Sequence, residues 1–465
     1  MRAALRMAAA VAATALLAAG CSRAGSSSTS SSAPPSSSAS SPGASAAGDF
    51  GTLANVCHGG SASGATDQGV TSSAIDVGVL TDVGFTKDPQ LENAATVFTD
   101  WCNAAGGIDG RKLIADVHDT EMLSVVSAMT AACGKDFVLA GGSAALDGIA
   151  VQTRLKCLLP DFDAQENMPQ AAGSSLEFGP VTYNFTYADY SGYYKWLLQK
   201  YPGSSGHIAI VWGDSAVTQI DYADQQATIA ALGGGATTSI TFPATGVTNW
   251  TPYAEEIKSK GIKGFTFYGE PQELAPLEAA LDTIGDKLDW IDTDSNAYGS
   301  SFIQLDGKGL TEQANYAALF GIYPVEKAAS NPTVEKIEQL YQQYEPGQQI
   351  TLQALQAFSM WLAFAVSAES CGSDLTRSCV YQAALKLTSW DGGGITAPED
   401  LATPLGPPSC FNVEQASSSG WAPATGFTPN TDGVYSCGEP QIKLPSSFPA
   451  PDTLAGVGES LASLK

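Results

Sequence analysis

The chain has 465 residues, with 22 Lys and Arg against 47 Asp and Glu, for a formal net charge of −25. Such an acidic chain repels nucleic acid and anionic lipid, which excludes both as partners. Acidity alone points no further than a soluble, exported protein.

The first residues read as a targeting segment. Arg2 and Arg6 precede an apolar run from Met7 to Ala19, too short to span a bilayer. The run ends Leu17-Ala18-Ala19-Gly20-Cys21, which resembles a bacterial lipobox, with a signal peptide over 1–20 and Cys21 as the lipid-modified residue. Leu is usual three positions before that cysteine, and Ala18 stands there; cleavage near Ala18 as an ordinary signal peptide is the alternative. Residues 21–48 are a Ser/Pro/Ala linker with too few apolar residues to offset their own conformational entropy. As a coil, that linker spans roughly 30 Å.

Strand and helix patterns then alternate. "TSSAIDVGVLTDVG" reads as a buried strand, and "PQLENAATVFTDWCNAAGGIDG" as a helix with Leu91, Ala94, Ala95, Phe98 and Cys102 on one face. Strand "KLIADVHD", helix "MLSVVSAMTAACGK", strand "DFVLAGG", helix "LDGIAVQTRL" and strand "CLLPDFD" follow. The rhythm restarts after helix "YADYSGYYKWLLQKYPG" with strand "HIAIVWGD" and runs to strand "LDWIDTDS". The pattern predicts an α/β fold of two doubly wound parallel-sheet lobes. Lobe 1 is expected over 49–185 with 325–395 returning to it. Lobe 2 is expected over 186–324 with 396–445 added, and a C-terminal tail over 446–465. Past Leu319 the chain reads as helical, and "TLQALQAFSMWLAFAVSAES" is apolar on nearly every side, as a helix inside a core must be.

The order of elements, the "TSSAIDVGVLTDVG" opening and the "WCNAAGGIDGRKL" turn resemble the leucine/isoleucine/valine type of periplasmic binding protein, over about Val70 to Lys386. Members are extracytoplasmic receptors of ABC importers, and a cysteine-bearing tail is common among actinobacterial lipoprotein members. The resemblance implies two lobes, joined by a multi-strand hinge, that close on a small polar solute, an amino acid or a related amide or organic acid, with an ABC permease as partner. It implies a monomer held by lipid at the outer face of the membrane, and no cofactor. The linker suits a receptor that must stay near its permease and still swing to dock. Eight cysteines besides Cys21 fit an oxidising compartment. The family picture suggests the pairs Cys57–Cys157, Cys102–Cys133, Cys371–Cys379 and Cys410–Cys437. No C-x-x-C pair exists and His58, His118 and His207 lack ligand spacing, so a metal is not expected.

In open α/β sheets, ligands bind beyond the carboxyl ends of the strands. In lobe 1 the candidates are Thr81, Asp82 and Phe85; Gly142, Ser143 and Ala144; and Phe162 and Asp163. Ser143 is favoured because its loop runs into a helix N-terminus, where free N–H groups hold an anion. In lobe 2 they are Trp212, Tyr268, Glu270 and Asp294; the resemblance implies an acid from this lobe that holds an ammonium, and the last two are its candidates. G-x-S-x-G, G-x-x-x-x-G-K-[ST], H-E-x-x-H and G-x-G-x-x-G are all absent, so the chain is not expected to be an enzyme. The alternatives are a ligand-sensing lipoprotein without transport, or a cell-envelope hydrolase.

Overall fold

A computed structural model describes residues 47–180, 185–188, 191–402, 410–439, 441–444 and 448–464. Cys21, the leader and the linker as far as residue 46 lie outside the described residues.

The first sheet holds β1 (Ala74–Thr81), β2 (Lys112–Asp119), β3 (Val138–Ala140), β4 (Asp161–Phe162) and β5 (Glu177–Phe178) in the order β2-β1-β3-β4-β5, every pair parallel. The second is built on β6 (Ile208–Gly213), β7 (Thr238–Phe242), β8 (Gly264–Tyr268), β9 (Trp290–Asp292) and β10 (Asn315–Ala318). Its parallel part runs β10-β9-β8-β6-β7, the same winding as the first sheet. Each sheet with its helices forms a lobe, and the expected fold class holds.

The chain's last part completes both lobes. After β11 (Cys410–Phe411), strands β12 (Val413–Ser417) and β13 (Gly420–Pro423) make a hairpin that adds antiparallel to β10, and β14 (Ser436–Cys437) pairs with β11. The all-round apolar helix Leu352–Glu369 is buried in the first lobe's core. There Trp361 stacks on Phe98 with ring centroids 5.5 Å apart, and Phe364 meets Phe162 edge-on at 5.7 Å. No described helix is long and apolar enough to cross a membrane. At the C-terminus, Leu454 and Leu464 pack on Val151 and Leu155 of the first lobe.

Several elements differ from expectation. Strand "CLLPDFD" shrinks to Asp161–Phe162 because Leu158, at φ 55°, breaks the extended backbone. The two-residue β5 and the strand β10 carried no periodic signal of their own.

Two of the four expected disulfides are corrected. Cys57 pairs with Cys102 and Cys133 with Cys157, in place of Cys57–Cys157 and Cys102–Cys133. The N-terminal arm decides this: Phe50 packs on Trp101 at 5.0 Å and on Phe358, and the Trp101 indole donates to the Ala47 carbonyl. The arm therefore runs along helix Gln90–Ala105 and delivers Cys57 to its C-terminal end. Cys371–Cys379 and Cys410–Cys437 are bridged as the sequence reading has them. Peptide mapping without reductant should recover the Cys57–Cys102 linkage. The double variant Cys57→Ser, Cys102→Ser should lose about 4 kcal/mol in urea unfolding, the loop-closure value for the 45 residues that separate them.

Candidate functional site

Both sheets reverse their winding at one point, between β1 and β3 in the first and between β6 and β8 in the second. Strand order of this kind opens a crevice at the carboxyl ends. A cavity of about 170 Å³ lies there, walled by residues that follow strands of both lobes. From lobe 1 come Asp82, Phe85, Thr86, Met122, Ala145, Gln165 and Asn167. From lobe 2 come Gly213, Ser215, Thr218, Asp221, Phe242, Tyr268, Glu270, Glu273, Asp294 and Asn296, among others. A second groove of about 520 Å³ runs along Tyr298, Ile350 and Trp421.

Asp82 is the anchor on the lobe 1 side. Its Oδ1 accepts from the Met122 N–H at 2.9 Å and from the Thr120 hydroxyl, and its Oδ2 from the Ala145 N–H at 2.6 Å. One carboxylate thus joins the loops after β1, β2 and β3. Below them, Asn167 donates to Ser143 Oγ at 2.8 Å and to the Ala144 carbonyl, while the Ser143 hydroxyl donates to the Gln165 carbonyl at 2.9 Å.

On the lobe 2 side the wall is acidic and aromatic. Burial pushes Asp294 up to about 6, against the pull of the Ser295 N–H, and Glu270 up to about 7, with the charges of Glu273, Asp88 and Asp294 adding to it. Asp221 is raised well above the usual carboxylate range by burial and then by Asp294 and Asp224. The Tyr268 hydroxyl donates to Gln225 Oε1 at 3.1 Å, which fixes its ring in the wall. Phe242 packs face-on against Phe267 at 5.4 Å. No Lys, Arg or His lines the cavity among the described residues.

A family model described as periplasmic binding protein matches residues 75–410. The chain belongs to the periplasmic binding protein family.

Family members are extracytoplasmic binding proteins that take small molecules and work with ABC transporters. The solved structures agree on the fold. A fatty acid ABC transporter substrate-binding protein from Thermomonospora curvata is 16% identical with a TM-score of 0.67, over 83% of this chain and 97% of its own. A substrate-binding periplasmic protein from Ralstonia solanacearum is 16% identical at 0.64, over 75% and 100%. A leucine-binding protein from Thermotoga maritima is 14% identical at 0.61, over 76% and 98%. No curated protein compared with the chain matches it.

Of the candidate residues of this binding protein, Asp82, Phe85, Tyr268, Glu270 and Asp294 line the cavity. Seven do not. Thr81 is buried, and its hydroxyl turns to Glu92. Gly142, Ser143, Ala144 and Asp163 face a small interior void beneath the loop. Ser143 spends its hydroxyl tying loops together. Gly141, at φ 63°, and Gly142 serve a close approach, since a side chain would strike Trp361 at the first and the Leu80 backbone at the second. Phe162 is fully buried against Phe178 and Phe364. Trp212 stacks on Tyr222 at 5.2 Å and donates to Ser239, outside the cavity.

Sequence reasoning missed Met122, Gln165, Asn167, Asp221 and Glu273. Gln165 and Asn167 lie in the loop that follows β4 in "DFDAQENMPQ", two to four residues past the candidate Asp163 drawn from that loop. His118 lies at 2.6 Å from Asp136 and 3.4 Å from Asp116 and does not line the cavity.

Proposed function

We propose that this protein is a membrane-tethered extracytoplasmic receptor that binds a small polar solute between its lobes and delivers it to an ABC permease. The observation that carries the reading is the cavity walled by strand ends of both sheets at their winding reversals. Polar groups from both sides let a solute favour the closed state through its higher affinity for that state. About 170 Å³ suits a solute of roughly six to ten heavy atoms, given that a cavity near 150 Å³ takes a benzene ring. The tether is the Cys21 lipid anchor, which rests on the sequence: a Cys21→Ser variant should move from the membrane fraction to the medium.

Thermal-shift screening of the purified chain against amino acids, amides, amines, organic acids and polyols tests the receptor reading. Midpoint increases together with a smaller radius of gyration in solution scattering are the expected result. Silence across the panel at millimolar solute sinks it, and turnover of any solute redirects it to the hydrolase alternative.

A further inference from the structure

We infer that the solute is an organic cation bearing an amine and no carboxylate; this rests on the receptor reading above. The first observation is that two backbone donors on the lobe 1 side of the cavity are already taken by the protein itself. At the β1/β3 reversal, the N–H groups of Met122 and Ala145 both point to Asp82. A solute carboxylate would find those donors spent and a fixed negative charge in its place. The helices that begin at the cavity from lobe 2 carry acids of their own. Asp221 stands on helix Ala216–Ala231, and Glu270 and Glu273 stand at the start of helix Pro271–Thr283.

The second observation is an open acceptor. Asp294 lines the cavity at 8% exposure, held by the Ser295 N–H and hydroxyl on Oδ1. Its Oδ2 has no hydrogen-bond partner among the described residues. A mostly desolvated carboxylate whose second oxygen faces a cavity without a protein donor is open to a charged donor, and an ammonium makes the strongest such bond. The rings of Tyr268 and Phe242 complete the wall, and their faces attract a cation. The high pKa values of Glu270 and Asp294 agree: both acids lack a cation, and a bound ammonium would supply one.

Calorimetric titration of the full chain with amine and amino-acid pairs that differ only by the carboxylate decides the matter. The probes are putrescine against ornithine, 3-methylbutylamine against leucine, and tyramine against tyrosine, with 1,4-butanediol as a neutral control. At least one amine should bind at least 100-fold tighter than its amino acid, and Asp294→Asn should weaken that amine at least tenfold. The wild-type pair comparison stands even where the variant does not fold. An amino acid binding as tightly as its amine, binding of the diol alone, or no binding by any amine overturns the inference. If amino acids or neutral solutes still close the lobes, the receptor reading survives that outcome; if no solute class does, both fall.

Discussion

Replacing Arg154 with methionine should destabilise the protein by about 3–5 kcal/mol, the usual cost of removing one partner from a buried ionic network. Arg154 is 1% exposed, on the short helix Val151–Lys156. Its guanidinium reaches Glu177 at 3.2 Å and Asp161 at 3.7 Å, and donates to Ser174 and to the carbonyls of Leu159, Ser175 and Leu176. Asp147, Asp163 and Glu166 are buried nearby, all with pKa values raised by burial and by neighbouring acids, Glu177 among them in each case. Without the arginine, these acids must take up protons or draw in water. Arg154→Lys should recover only part of the loss, because an ammonium cannot make the same planar fork of bonds. Urea unfolding followed by tryptophan fluorescence measures both; a loss below about 1 kcal/mol for the methionine variant would mean that the network is not what holds these loops. The loops in question carry Gln165 and Asn167 to the cavity, so weaker solute binding should accompany the loss.

The solute-free protein should melt at a higher temperature at pH 5 than at pH 8, by roughly 5 °C or more. Burial raises Glu177, Glu270, Asp292 and Asp306 to about 7, Asp224 to about 8 and Asp294 to about 6. Their unfolded values lie near 4. Between those limits the folded state holds more protons than the unfolded one, so unfolding becomes harder as the pH falls. Asp292 illustrates the cause. It is 2% exposed and faces the hydroxyls of Tyr193 and Tyr194, which only partly replace water around its charge. Scanning calorimetry between pH 5 and 8 reads the trend, and a midpoint that rises with pH would contradict it. A saturating amine should flatten the slope by holding cavity acids ionised.

The alternation of apolar strands with amphipathic helices made both sheets legible, and β2 falls on the "KLIADVHD" segment read from the pattern. Period-based reading failed where strands are two residues long, as at β4 and β5, since such pairs are defined by neighbours and not by their own sequence. The site was legible as a set of loops, because ligand crevices follow from strand order. Which residue in each loop meets the crevice was not. Ser143 and Ala145 sit two positions apart on one turn, and only the hydrogen bonds of Asp82 and Asn167 decide that the second reaches the cavity while the first is locked below it. The cysteine pairing failed for a similar reason: the path of the arm from Gly48 to Cys57 is set by where Phe50 inserts, and no local pattern announces that.

The burial of helix Leu352–Glu369 against Phe98 and Phe162 has a consequence for how the molecule is made. During export, the part of the first lobe that emerges early waits with its greasy face uncovered until some two hundred later residues have followed. The second lobe's parallel strands, contiguous in sequence, complete their mutual pairing sooner. Nascent chains stalled before residue 352 should therefore be the form most exposed to proteases and to misassociation outside the cell membrane.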